Sequence, residues 1–347
     1  MLRRTKFAVA MAALAVVVSG CSASEVAPDD AAQPVDAGTS PSQELIEAAQ
    51  TEGSLVWYTS FPLDPSERAA AAFTDEFGVD VEVVRLNSDV FHPRYEAERT
   101  AGQSVADVIM ETLNGQFSTY VDNGWLAPVD ATSMSSVADW PEEYLFEDTF
   151  ALINIQPIGI AYNTDLVDEA DLESWESILD PKYKGEIVVA DPGAVLAWTE
   201  LFRVLQGEYG DEFLTDFSES DYQLQPSAVP GTQQVAAGEG MIAFPSLFSV
   251  ANPLKLQGAP IDMKFFSPTT GVQQFIALTE GSPSPNAGKL FMNYLMSVDG
   301  QSALNEGVGA SVLPDVPGTV ELPEDYVLPN LDDALTQKAS ILGLLGL

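Results

Sequence analysis

Ser54-Leu55-Val56-Trp57-Tyr58, then Val79-Asp80-Val81-Glu82-Val83-Val84, then Ala106-Asp107-Val108-Ile109-Met110 form the stretch that decides the fold. All three pieces are short, apolar and rich in β-branched or aromatic residues, so they read as buried strands. Between and after them, 65–77, 95–101 and 115–123 read as helices. Strand and helix alternating at these lengths specify a parallel sheet with crossover helices. Ligands of such sheets sit beyond the carboxyl ends of the strands. The loops at 59–62, 86–89 and 111–115 are therefore the ones to watch.

Upstream, Ser42 can cap a helix that runs through Leu45, Ile46 and Ala49 and stops at Gly53. Residues 22–42 hold Ala, Ser, Pro, Asp and Gly with almost no large apolar side chain. Such a composition cannot offset ordering entropy and reads as a disordered tether. Earlier still, Arg3, Arg4 and Lys6 precede a small and apolar run at 7–18 that fits a signal-peptide core better than a membrane span. The run ends in Val18-Ser19-Gly20-Cys21, a lipobox-like cleavage signal. Cys21 is the only cysteine, so no internal disulfide can form. The expected mature chain is a lipoprotein beginning at Cys21, on the outer face of the cell membrane. An ordinary secretory signal beside a stray cysteine is the alternative.

With 52 acidic against 14 basic residues the formal net charge is −38. Nucleic acid is excluded as a partner, because phosphate backbones are bound by Lys and Arg that this chain lacks. A basic docking patch for anionic lipid is excluded on the same ground. The acidity means a hydrated, self-repelling surface, suited to a salty medium that screens the repulsion. Hydrophobic residues still make up 46% of the chain, enough for buried cores. At about 150 residues per domain, 347 residues suggest two domains. No second stretch approaches membrane-span length; the apolar segment at 339–347 is short.

A second unit opens in the middle of the chain. Ile158-Gly159-Ile160-Ala161-Tyr162-Asn163 reads as a strand, and Tyr183-Lys184-Gly185-Glu186-Ile187-Val188-Val189 leads into another. Asp191-Pro192-Gly193 reads as the start of a helix through Trp198, Leu201, Phe202 and Leu205, with Asp as cap and Pro in the first turn. A helix at 232–237, strands at 241–244 and 271–278, and a helix at 286–296 follow. No internal repeat is present.

Several segments, in order, resemble one family. Glu44-Leu45-Ile46-Glu47-Ala48-Ala49 leads into Leu55-Val56-Trp57-Tyr58-Thr59-Ser60; then come Ala106-Asp107-Val108, Gly159-Ile160-Ala161-Tyr162-Asn163 and Tyr183-Lys184-Gly185. Ser284-Pro285-Asn286-Ala287-Gly288-Lys289-Leu290-Phe291-Met292-Asn293-Tyr294-Leu295-Met296-Ser297 with Gly300-Gln301 completes the set. Together they resemble the type II solute-binding proteins of ABC importers, in the branch with ferric-ion, phosphonate, thiamine and sugar-phosphate binders. The resemblance implies an α/β fold of two Rossmann-like lobes joined by a hinge, with discontinuous domains. Crossings between lobes are expected near 156–160, 268–272 and 308–313. The expected division is a signal peptide at 1–20, a tether at 21–43, lobe 1 from 44–155 with 271–309, and lobe 2 from 156–270 with 310–347.

In ferric-binding members a His after the first strand, a Glu after the third and a Tyr pair in the second lobe hold the metal. The corresponding places here are Pro62, Thr112, Pro245 and Ser246, so iron held in that manner is not expected. Anion-binding members use hydroxyls at the helix start after the lobe 2 strand, where this chain has Asp191, Pro192, Gly193 and Ala194. A carboxylate there repels an anion.

Candidate ligand contacts follow from the strand ends. Tyr58, Thr59 and Ser60 offer a ring and two hydroxyls after the first strand, with packing as the alternative. Asn87 and Ser88 follow the second strand, and Thr112 and Asn114 the third. Arg85 could clamp a carboxylate or pair with an acidic neighbour. From lobe 2, Asp191, Trp198, Phe244, Ser246 and Phe248 could face a cationic ligand; core packing and, for Asp191, helix capping are the competing roles. His92, the lone histidine, is expected in a surface loop and cannot form a zinc set alone.

The leading function is a monomeric solute-binding protein that hands a small polar solute to a membrane permease. No phosphate loop, nucleophile elbow or cofactor motif is present, and no enzyme activity, cofactor or metal is expected. A permease-independent sensing or adhesive lipoprotein is one alternative. An extracellular hydrolase using carboxylates such as Asp107 and Glu111 is the other.

Overall fold

The computed structural model describes residues 40–112 and 115–347. Cys21, the signal segment, most of the tether and Asn114 lie outside the described residues. In chain order the elements are α1 Gln43–Glu52, β1 Ser54–Thr59, α2 Leu63–Phe77, β2 Asp80–Arg85, α3 Ser88–Thr100, β3 Val108–Glu111, α4 Gln116–Asp122, β4 Leu126–Ala127, β5 Leu145–Phe146 and β6 Phe150–Asn163. There follow β7 Ile187–Ala190, α5 Leu196–Ser218, β8 Gln223–Gln225, α6 Ala228–Ala236, β9 Ile242–Leu247, α7 Phe248–Leu256, β10 Ile261–Lys264, β11 Gly271–Thr279, α8 Pro285–Leu295, α9 Val298–Asn305 and α10 Leu331–Leu344.

The strands run in the order β2-β1-β3-β11-β6-β9-β7-β8. On one side β1 pairs in parallel with β2 and β3; on the other β7 pairs in parallel with β8 and β9. Both halves are thus crossover-built α/β lobes, as the alternation in sequence requires. What joins them is antiparallel. β6 is buried along all fourteen residues, pairing with β11 through its first half and with β9 and β10 through its second. Sequence alone shows only its second half, because Phe150-Ala151-Leu152-Ile153 is apolar without alternation and lacks turn residues that mark a start.

Two cores result. Trp57, Phe73, Met110, Ile276 and Phe291 anchor the first, while Trp175, Phe202, Phe217, Phe244 and Ile341 anchor the second. A third cluster, with Tyr58, Phe91, Tyr95, Ile109, Phe117 and Phe275, lies on the opposite face of the first lobe's sheet from Trp57 and Met110.

Three crossings meet at the ribbon of β6 and β11. The third makes a two-residue bridge: Ile155 N–H donates to Ala310 O at 3.1 Å and Ala310 N–H to Ile155 O at 2.7 Å. Backbones here lie too close for side chains. A Cβ on Gly271 would stand 2.5 Å from Gln156 O, and one on Gly309 2.6 Å from Ile155 O. Buried amides finish the junction: Asn154 Nδ2 donates to Asn305 Oδ1 at 2.7 Å, Asn305 Nδ2 to Gln301 Oε1 at 2.9 Å, and Ser311 Oγ to the same Gln301 oxygen at 2.7 Å.

Local expectations fail in two places. α3 begins at Ser88 rather than near Tyr95, so His92 is not in a surface loop but inside a helix, buried, with Nδ1 2.7 Å from Tyr120 Oη. Pro93 misleads, since proline in the second turn removes one ladder bond yet does not end this helix. Asp191 does not start α5. Its Oδ1 accepts from Gly193 N–H at 2.8 Å in a tight turn, and the helix begins at Leu196 without a side-chain cap.

Among the described residues no helix is long and apolar enough to cross a membrane.

Candidate functional site

The carboxyl ends of β1, β2 and β3 come together through one buried carboxylate. Glu111, the last residue of β3, is fully buried, and its Oε1 accepts from Ser88 Oγ at 2.9 Å, Thr112 N–H at 2.8 Å and Thr112 Oγ1 at 2.7 Å. Its Oε2 is buried with no hydrogen-bond partner among the described residues. The parallel register sets these loops at one height: Ser60 N–H donates to Met110 O at 3.0 Å and Leu86 N–H to Thr59 O at 2.9 Å. Gly115 then turns the chain at φ 91° into α4.

Beside this edge lies a cleft of about 660 Å³. Thr112, Gly115 and Ser118 line it from the first lobe, Val195, Leu196 and Ala197 from the second. Gly271, Val272, Gln273 and Phe275 of the joining ribbon form its back, and the start of α10, Pro329 to Leu335, its remaining wall. The size is that of a small-molecule site.

Of the candidates expected from sequence that fall within the described residues, Thr112 lines this cleft; Ser88 shares Glu111 with it but lines a separate pocket of about 390 Å³ with His92 and Glu96. Arg85 and Asn87 bond to each other on the surface through Nη1 and Oδ1. Thr59 is buried, its Oγ1 capping Phe61 N–H at 3.0 Å, and Ser60 Oγ donates to Gln274 Oε1 on the ribbon at 3.4 Å. Tyr58 points into the third cluster. Its hydroxyl donates to Glu98 at 3.1 Å and accepts from Arg94 at 2.5 Å, with the guanidinium 4.6 Å from the ring centre. Burial first, and Glu98 second, push the Tyr58 phenol up to about 12.

The lobe 2 candidates scatter. Phe244 packs in the core against Trp175, Phe202 and Phe217 at 5.2–5.5 Å. Trp198 is buried in the same core. Ser246 shares a 2.9 Å hydrogen bond with Thr232, both buried. Phe248 is half-buried at the start of α7, and Asp191 holds its own turn. Asp107, weighed as an acid or base, spends both oxygens on backbone: Val56 N–H at 2.8 Å and Ser284 N–H at 2.7 Å. Burial raises its pKa and those two bonds oppose the rise. Four residues along a strand put it about 13 Å from Glu111, too far for paired-carboxylate hydrolysis.

Sequence reasoning missed Gln273, Val195 and the start of α10. Val195 and Leu196 look like ordinary helix residues, and α10, starting at Leu331, is far in sequence from the end of β11 at Thr279, so no local pattern ties it to the cleft. The polar segment Thr269-Thr270-Gly271-Val272-Gln273 inside a buried crossing was the one available signal.

Comparison with known proteins agrees with this architecture. A profile of the family described as bacterial extracellular solute-binding protein matches residues 68–326. An uncharacterized protein of Haemophilus influenzae is 25% identical over 278 residues, covering 77% of this chain and 80% of that one. Iron uptake protein A2 of Synechocystis is 24% identical over 266 residues, covering 71% and 75%. The structure of the Trichodesmium protein IdiA (FutA), in complex with iron and citrate, superposes with a TM-score of 0.64 at 20% identity, covering 85% of this chain and 98% of that one. The profile spans most of the chain and the superposition covers both lobes, and the chain belongs to the bacterial extracellular solute-binding proteins, the type II binding proteins of ABC importers.

Proposed function

We propose that the chain captures a small solute in the 660 Å³ cleft and delivers it to a membrane permease, tethered at the outer face of the membrane by a lipid on Cys21. The cleft carries this reading, since both lobes and the ribbon contribute to its lining. Lobe 1 would comprise 44–155 with 271–309, and lobe 2 156–270 with 310–347, working as a monomer. The ribbon supports a hinge role: beside the backbone ladders to β3 and β9, each lobe reaches it through a single exchangeable side-chain bond, Ser60 to Gln274 and Ser249 Oγ to Gln156 Oε1 at 2.7 Å. Such contacts can exchange as lobes rotate.

Iron held by the family's usual ligands does not fit. Pro62, Thr112, Pro245 and Ser246 supply no such ligand, and the described residues contain no group of three His, Cys, Asp or Glu able to hold a metal. A buried carboxylate does stand one residue away, at Glu111.

Deleting the gene and measuring uptake of candidate solutes tests the transport reading; unchanged uptake of every solute that the protein binds would refute it and favour a sensing role. Radiolabelled palmitate should enter the wild-type chain and not Cys21→Ala.

A further inference from the structure

From Glu111 and the cleft beside it, we infer that the solute is an organic cation, an ammonium group on an apolar body. This rests on the cleft being the solute site. β3 and β11 pair with Glu111 opposite Phe275, so the two side chains share a face of the sheet, and Phe275 lines the cleft. Thr112, next in the chain, lines it too. Three donors converge on Glu111 Oε1, yet Oε2 is equally buried and receives none among the described residues. A buried carboxylate oxygen without a donor is costly, and a charged N–H donor is its best complement.

The surroundings select the same sign. Among the described residues no basic side chain lines the cleft. The nearest in sequence to its walls are engaged elsewhere: Arg203 forks onto Glu200 at 2.7 and 2.8 Å, Lys338 donates to Gly193 O at 2.6 Å, and Lys264 donates to Glu169 Oε1 at 2.7 Å. At the start of α10, exposed Asp332 contributes a carboxylate to the lining. Glu111 holds Thr112 of the lining without itself being a lining residue, so an anion entering here meets the exposed carboxylate of Asp332 and no Lys or Arg side chain. Val195, Leu196, Pro329 and Leu335 make the rest of the wall apolar, which suits a hydrocarbon or aromatic body attached to the amine.

The test uses the detergent-solubilised full chain in thermal shift and calorimetry. Phenethylamine, choline and putrescine are compared with 2-phenylethanol, phenylphosphonate, fructose 6-phosphate and ferric citrate. At least one amine should bind, with phenylethanol, lacking the charge, about tenfold or more weaker than phenethylamine. Glu111→Gln should weaken amine binding about tenfold or more, and Val195→Lys, at a position 40% exposed, should abolish it by placing an ammonium in the cleft. If Glu111→Gln does not fold, Val195→Lys alone decides. Tighter binding of an anion or of ferric citrate than of any amine, or amine binding untouched by Val195→Lys, overturns the charge assignment while leaving solute binding intact. Absence of binding by every compound in the panel, with uptake normal after gene deletion, overturns both readings.

Discussion

The two lobes each bury a glutamate at the cleft's margin, and they treat it differently. Glu200 of α5 is fully buried and saturated: Arg203 occupies both oxygens, and Asn330 N–H adds a third bond at 2.9 Å. Glu111 of β3 is equally buried and only half satisfied. The first ties α5 to the start of α10 and fixes a wall. The second keeps an oxygen open at the place where this class of sheet binds its ligands. A saturated carboxylate builds structure; an open one is available for recognition.

The sharpest way to break that contrast is to remove the saturated member. Glu200→Ala leaves a partly buried guanidinium and the Asn330 amide without their acceptor, and should cost roughly 3 kcal/mol, read as a lower urea midpoint. Gly271→Ala probes the ribbon between the lobes. Its Cβ meets Gln156 O at 2.5 Å, so two backbones must part, at about 2 kcal/mol, and the shift should appear in amide exchange of β6 and β11. Glu111→Gln should change stability by less than about 1 kcal/mol, because the amide keeps an acceptor for Ser88 and Thr112 and removes only an unpaired charge. A loss as large as that of Glu200→Ala would show that Glu111 too is structural.

The smallest effect is a pH slope. Burial holds His92 below its ordinary value, with the Glu111 and Glu96 carboxylates opposing and Tyr120 on its Nδ1. The unfolded chain takes up a proton near pH 6.5 that the folded chain refuses until lower pH, so stability falls as pH drops below about 6.5. His92→Gln should flatten that segment of the urea midpoint against pH by at most about one proton. An unchanged slope would assign the acid sensitivity to the carboxylates.

Much of the fold was legible because its signals are local. Ser42 caps α1 by accepting Leu45 N–H at 3.2 Å, and Gly53 ends the helix at φ 80°, as the residue types require. The strands of the first lobe appear within a residue or two of their apolar runs. The site was far less legible. Aromatic candidates such as Tyr58, Trp198 and Phe244 are buried in cores, since large rings gain most from burial and their sequence neighbours do not reveal which face is wet. Glu111 was visible as a carboxylate at a strand end, but one among 52 acidic residues.

By itself the sequence determined the α/β alternation, the helix caps and the acidic composition, all of which depend on residue types and on residues near one another in the chain. Only the tertiary structure decided that β6 and β11 form the junction and that α10 closes the cleft. It also decided that one buried glutamate is satisfied while another is not. Those outcomes depend on which distant backbone groups arrive at hydrogen-bonding distance, and that is a property of the packed chain.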